Sequence, residues 1–161
     1  DKGGSTIVHT AVDDKHVNIL EWVRGTPELG LPLLETLNNK RETIAHVAAR
    51  ADSVTVLQWI VESQAFGSEH FTTLDDEGLT PVQAAAMKHS DPVQVYRWIY
   101  GAAPLGPELL KSTSPNGWTI AHFAAKRGGK AGALQWILET PDLGLRLLKA
   151  VTNDGSTIAH V

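Results

Sequence analysis

The chain has 161 residues, 42% of them hydrophobic and 20% charged, a balance that excludes a disordered polar segment. A formal net charge of −4 disfavours a phosphate-driven nucleic-acid binder, and the absence of cysteine excludes disulfides and thiolate metal sites. No apolar run approaches the roughly 18 residues that span a bilayer, so a soluble, intracellular and cytoplasmic protein with no membrane partner is expected.

The first predicted element opens at Thr6-Ile-Val-His9, and the same segment returns along the chain as Thr43-Ile-Ala-His46, Thr80-Pro-Val-Gln83, Thr119-Ile-Ala-His122 and Thr157-Ile-Ala-His160. Successive threonines are 37, 37, 39 and 38 residues apart. A threonine ahead of an apolar-periodic run is a helix N-cap, and Pro81 suits a first helical position. Ala48-Ala49, Ala85-Ala86 and Ala124-Ala125 keep this first helix thin enough for close neighbours. Ahead of each threonine, Asp1, Asn38, Asp75, Ser114 and Thr152 stand five residues back, and Gly4, Gly78, Gly117 and Gly155 two residues back, with Arg41 the exception. That pattern predicts a tight projecting turn.

A second helix follows, with apolar residues such as Val56-Leu57-Ile60-Val61 at helical spacing. It carries one tryptophan per complete repeat, Trp22, Trp59, Trp98 and Trp136, and each stands 21 residues before the next threonine. Length variation is thus confined to the stretch before the tryptophan, where the turn between two helices absorbs it. Gly30, Gly67, Gly106 and Gly144 follow the tryptophans by eight residues, and Thr26-Pro27 and Thr140-Pro141 look like helix starts. We expect a short third helical element here, packed over the tryptophan, with the glycine breaking its direction.

Asp1-Lys-Gly-Gly4-Ser-Thr6-Ile-Val-His9 and Gly117-Trp-Thr119-Ile-Ala-His122-Phe-Ala-Ala125 resemble the D-x-x-G-x-T-P-L-H-x-A-A signature of the ankyrin repeat family. The resemblance covers nearly the whole chain, as repeats at about 1–37, 38–74, 75–113 and 114–151 and a partial fifth at 152–161. Isoleucine replaces the signature proline in four of the five. The repeats also exceed the family's usual length of about 33 residues, and the tryptophan stands where the family usually varies. The resemblance implies an all-α fold, an α-solenoid of helix-turn-helix repeats with hairpin-like projecting turns, here with the extra short helix. It implies a protein–protein interaction module binding through turn tips and inner helices, with no cofactor. A substrate-recruiting domain of a larger enzyme, or a secreted bacterial effector in a host cytoplasm, is the alternative setting. Val161 is expected to lie inside a fifth first helix, as though the segment were cut from a longer protein.

The histidines at one repeat position lie in successive layers roughly 8–10 Å apart, too far for ring nitrogens to share a zinc at ~2.1 Å. Gln83 at the same position also favours a hydrogen-bonding scaffold role. The tryptophan series is read as core packing. Trp118 differs, since it stands on a turn outside that series, where partner contact and packing on a neighbouring turn are both open. Arg50, Met87, Lys88, Lys126 and Arg127 follow the alanine pairs as a row that could receive an acidic segment of a partner. The turn tips offer Lys40, Arg41, Glu77, Leu79 and Asn116. No nucleophile elbow, H-E-x-x-H, calcium loop or dinucleotide fingerprint occurs, so a role without catalysis or metal is expected. Nucleic-acid binding through the basic row is the less favoured reading.

Overall fold

The computed structural model describes residues 4–28, 30–64, 66–87, 91–102, 105–126 and 131–161. Among these the chain is all-helical, with eleven α-helices, one 3-10 helix and no strand. No helix is long and apolar enough to cross a membrane.

The first unit comprises α1 (Ile7–Asp13), α2 (Val17–Arg24) and α3 (Gly30–Leu34). The second has α4 (Ile44–Arg50), α5 (Val54–Glu62) and a 3-10 helix, Ser68–Phe71. The third has α6 (Pro81–Ala85), α7 (Val93–Gly101) and α8 (Gly106–Leu110), and the fourth α9 (Ile120–Lys126), α10 (Ala131–Glu139) and α11 (Gly144–Leu148). First helices pack in a row, α1 on α4, α4 on α6 and α6 on α9, and second helices form a parallel row, α2 on α5, α5 on α7 and α7 on α10. Buried alanines such as Ala11, Ala48, Ala49, Ala85, Ala121 and Ala124 hold the first row close.

Each first helix begins in the same way. The Thr43 hydroxyl accepts from the His46 backbone N–H, while the Thr43 backbone N–H donates to His46 Nδ1 at 3.2 Å. This reciprocal cap satisfies two amide donors that the first turn leaves without partners. Thr6 with His9 and Thr80 with Gln83 form the same box, and Thr119 donates to His122 Nδ1 in the fourth unit. Because Nδ1 accepts, the remaining ring proton sits on Nε2. From there His9 donates to the Glu42 carbonyl at 3.1 Å and His46 to the Leu79 carbonyl at 3.0 Å. One imidazole therefore starts a helix and fastens the following turn. Gln83 reaches instead to the Ser112 carbonyl at 3.3 Å.

The projecting turns are closed by the residue five places before each threonine. Asn38 Oδ1 accepts from the Glu42 N–H, Asp75 Oδ1 from Leu79, Ser114 Oγ from Trp118 and Thr152 Oγ from Ser156. Two places before the threonine the backbone is left-handed in every unit. Glycine fills it at Gly4, Gly78, Gly117 and Gly155, while Arg41 adopts it at φ 58° despite the cost to a residue with a Cβ. Neighbouring turns also join directly, Asp76 N–H donating to the Lys40 carbonyl and Asn153 N–H to the Asn116 carbonyl.

The third element is present in all four units, but two expectations about it are corrected. Its glycine opens the helix rather than breaking it. Gly30, Gly106 and Gly144 are first residues, and a Cβ on Gly144 would stand 3.2 Å from the Leu138 carbonyl oxygen at the end of α10. Thr26 and Thr140 do not start it either, because their hydroxyls turn back to the Trp22 and Trp136 carbonyls. The element plugs one side chain into the core of each unit, namely Leu34, Phe71, Leu110 and Leu147.

Trp59, Trp98 and Trp136 also meet the unit before their own, a contact not expected, while Trp59 packs on Phe66 of its own unit at 6.1 Å as well. Trp59 donates its indole N–H to Glu21 of α2, Trp98 lies 6.3 Å from Phe71, and Trp136 lies 6.1 Å from Tyr96 and 6.0 Å from Tyr100. Trp59 is 7% exposed, whereas Trp22, with no unit ahead of it in the structure, is 60% exposed. The fifth threonine caps only a turn, with Thr157 N–H donating to His160 Nδ1. Residues 158–160 form a turn and not the expected helix.

Burial holds the pKa values of His9, His46, His70 and His122 below the ordinary 6.5. The unfolded chain then binds more protons than the folded one, so stability falls as pH drops below about 6.5. We expect a melting temperature that is level from about pH 8 to 7 and declines towards pH 5, with a shallower decline in His46→Gln. A flat profile in the parent protein would exclude this role for the imidazoles. In urea melts, Trp59→Ala should cost about 3–5 kcal/mol and Trp22→Ala less than about 1 kcal/mol; equal losses would contradict the packing described.

Candidate functional site

Two side chains of every unit border the face formed by the first helices and turns: the residue just before the threonine and the one seven after it. The turn delivers the former, and the latter ends the first helix, or in the third unit stands two residues beyond it as Met87. The pairs are Ser5 and Asp13, Glu42 and Arg50, Leu79 and Met87, and Trp118 and Lys126. Between adjacent units these pairs enclose grooves of differing chemistry.

The groove between the first two units, about 310 Å³, is polar and lined by Ser5, Asp13, Asn38, Glu42 and Arg50 among others. Arg50 forms an ion pair with Glu42 in its own unit and, at 3.0 Å, with Asp75 in the next turn. The Arg50 side chain is 17% exposed and that of Asp75 fully buried. Arg50, expected to face a partner, is thus committed to joining the second and third units.

The groove between the third and fourth units, about 220 Å³, is lined by both polar and aromatic or aliphatic side chains. Leu79, Met87 and Glu77 line it from the third unit, Ser114, Pro115 and Asn116 from the turn, and Trp118, Phe123 and Lys126 from the fourth. The Trp118 ring lies 5.2 Å from Phe123 and 5.8 Å from His122. Lys126 extends its ammonium to 4.6 Å above the Trp118 ring centre, a contact between a cation and the electron-rich ring face. Among the described residues, no carboxylate lies within ion-pair distance of Lys126. Where the second unit neutralises its cation with Glu42, the fourth presents an aromatic ring.

Of the residues singled out from the sequence, the fold brings Glu77, Leu79, Met87, Asn116, Trp118 and Lys126 to this one groove. Leu79 belongs mainly to its wall, at 5% exposure. Lys40 and Arg41 are exposed on the turn between the first two units, away from the groove. Lys88 and Arg127 lie outside the described residues. The continuous basic row therefore reduces, among the described residues, to Lys126. Trp118 packs on its own helix, where packing on a neighbouring turn was the alternative expected, and it is half-buried at the groove. Sequence reasoning missed Pro115 and Phe123. Phe123 stands four residues after its threonine, where the other units carry Thr10, Val47 and Ala84, and that excess of bulk was the signal.

A larger hollow of about 560 Å³ lies at the second-helix row, lined by Lys15, Asp52, Gln94, Arg97 and Trp98 among others. No group of three or more histidine or acidic residues placed to hold a metal occurs among the described residues. No family model matches the chain, and no curated protein matches its sequence.

The two equivalent cations should respond differently to removal. Arg50→Ala leaves buried Asp75 and Glu42 without their counter-charge and is expected to cost about 3 kcal/mol in urea denaturation. Lys126→Ala, on an exposed surface, should stay within about 0.5 kcal/mol. A larger loss for Lys126→Ala than for Arg50→Ala would reverse their assignment.

Proposed function

We propose that this chain is an ankyrin-like solenoid whose task is to bind another protein, without catalysis, through the groove between α6 and α9 and the turns above it. The observation that carries this reading is the Trp118–Lys126 pair. The corresponding side chains of the second unit are spent on an internal ion pair, whereas this pair leaves an aromatic face and an uncompensated ammonium beside Met87 and Phe123. Aromatic residues in apolar surroundings with a polar rim are the usual anchors of protein interfaces. The stacked rows of first and second helices and the capped threonines support the ankyrin resemblance, and they are consistent with repeats that bury their apolar faces against neighbours.

Affinity capture from cell lysate, comparing the parent chain with Trp118→Ala combined with Lys88→Glu and Lys126→Glu, tests the surface. A discrete set of proteins retained by the parent and lost by the variant is expected. An unchanged set means that the groove is not the binding surface. Salt-sensitive association of the parent with DNA or RNA would favour nucleic-acid binding instead.

A further inference from the structure

We propose that the groove between α6 and α9 takes an extended peptide segment in which one aliphatic or aromatic side chain is adjacent to a carboxylate, the side chain entering between Met87 and Trp118 and the carboxylate meeting Lys126. This inference rests on the protein-binding reading of the same groove.

The charge distribution decides the chemistry. Trp118, Phe123, Met87 and Leu79 provide an apolar floor, and the volume of about 220 Å³ suits a side chain rather than a folded element. A ring face attracts a cation only modestly, by roughly 0.5–1 kcal/mol at exposed sites, and leaves its ammonium free to bind an anion. The contact also holds that ammonium over the floor, so an anion recruited by Lys126 is placed beside whatever fills the groove. Glu77 lines the same groove from the turn of the third unit. It disfavours a second carboxylate there, which gives the occupant a direction: acidic at the end of α9, neutral or basic at the turn.

The equivalent groove between the first two units marks the contrast. There the Glu42 carboxylate already takes the position of the anion, paired with Arg50. The chain thus contains, fused into its own second unit, a carboxylate paired with the cation seven residues after the threonine. In the fourth unit that carboxylate is missing from the chain and is left for a ligand to supply.

The test is selection of a random dodecapeptide display library on the whole chain, followed by fluorescence anisotropy of individual enriched peptides. Enrichment of peptides with Leu, Met, Ile or Phe next to Asp or Glu is expected. Their affinity should fall about tenfold or more with Trp118→Ala, as for a central interface aromatic, and about tenfold with Lys126→Glu. A peptide whose carboxylate is replaced by lysine should regain binding to Lys126→Glu, and this gain also shows that the variant is folded. Enriched peptides that need Trp118 but show no acidic preference would overturn this inference and leave the groove as a protein-binding site. Peptides indifferent to both substitutions, or no enrichment over a Trp118→Ala, Lys126→Glu double variant, would overturn both readings. Displacement of the peptides by a twelve-nucleotide single-stranded oligonucleotide would overturn the peptide as occupant.

Discussion

The first helices begin where a threonine and the imidazole or amide three residues later close on one another, and in the first two units the far end of that side chain then leaves the unit. In His9 and His46 the two ring nitrogens perform opposite tasks, Nδ1 accepting from the threonine backbone and Nε2 donating to a carbonyl 33 residues on. Only the neutral ring can do both. A helix start, the fold of the next turn and the distance between units are therefore fixed by one side chain. This explains why the first helices need little else at their N-termini, and why alanine can occupy so much of their buried face.

The turns depend on this link. The carbonyl that accepts the imidazole proton belongs to the residue before the next threonine, whose own N–H is held by Asn38 or Asp75. Glu42 and Leu79 thus have their backbone engaged on both sides, while their side chains are free to vary. Variation there and seven residues after the threonine gives an internal ion pair at the groove between the first units and a cation over an indole at the groove between the last. The scaffold is repetitive because its backbone polar groups must be satisfied, and the surface can differ because those side chains are not needed for that purpose.

On the opposite row, packing has a direction. Trp59, Trp98 and Trp136 reach back to the unit before their own, meeting Glu21, Phe71, and Tyr96 with Tyr100 respectively. The unvarying 21 residues from tryptophan to threonine follow from this arrangement. The third element must seat one apolar side chain in the core and deliver the chain to the next turn in register. Slack is tolerated only in the connection between first and second helices, which meets no such double constraint.

Much of this was legible in the residues. The phase of the repeats, the capping threonines, the three helical segments per unit and the scaffold role of the histidines are local consequences of spacing and hydrogen-bonding capacity, which a sequence carries directly. Arg41 reads in the sequence only as the exception to the glycines, and the structure shows that it keeps their left-handed backbone. Tertiary structure decided whatever depends on the neighbour across a unit boundary. Arg50 and Lys126 are equivalent in sequence, yet one is locked between Glu42 and Asp75 of the following turn and the other lies over the indole that stands in the place of Glu42. Trp22 and Trp59 are equivalent too, and one is exposed and the other buried. A repeat states which groups it can offer, and only the packed array determines which of them meet a partner inside the fold and which remain for one outside it.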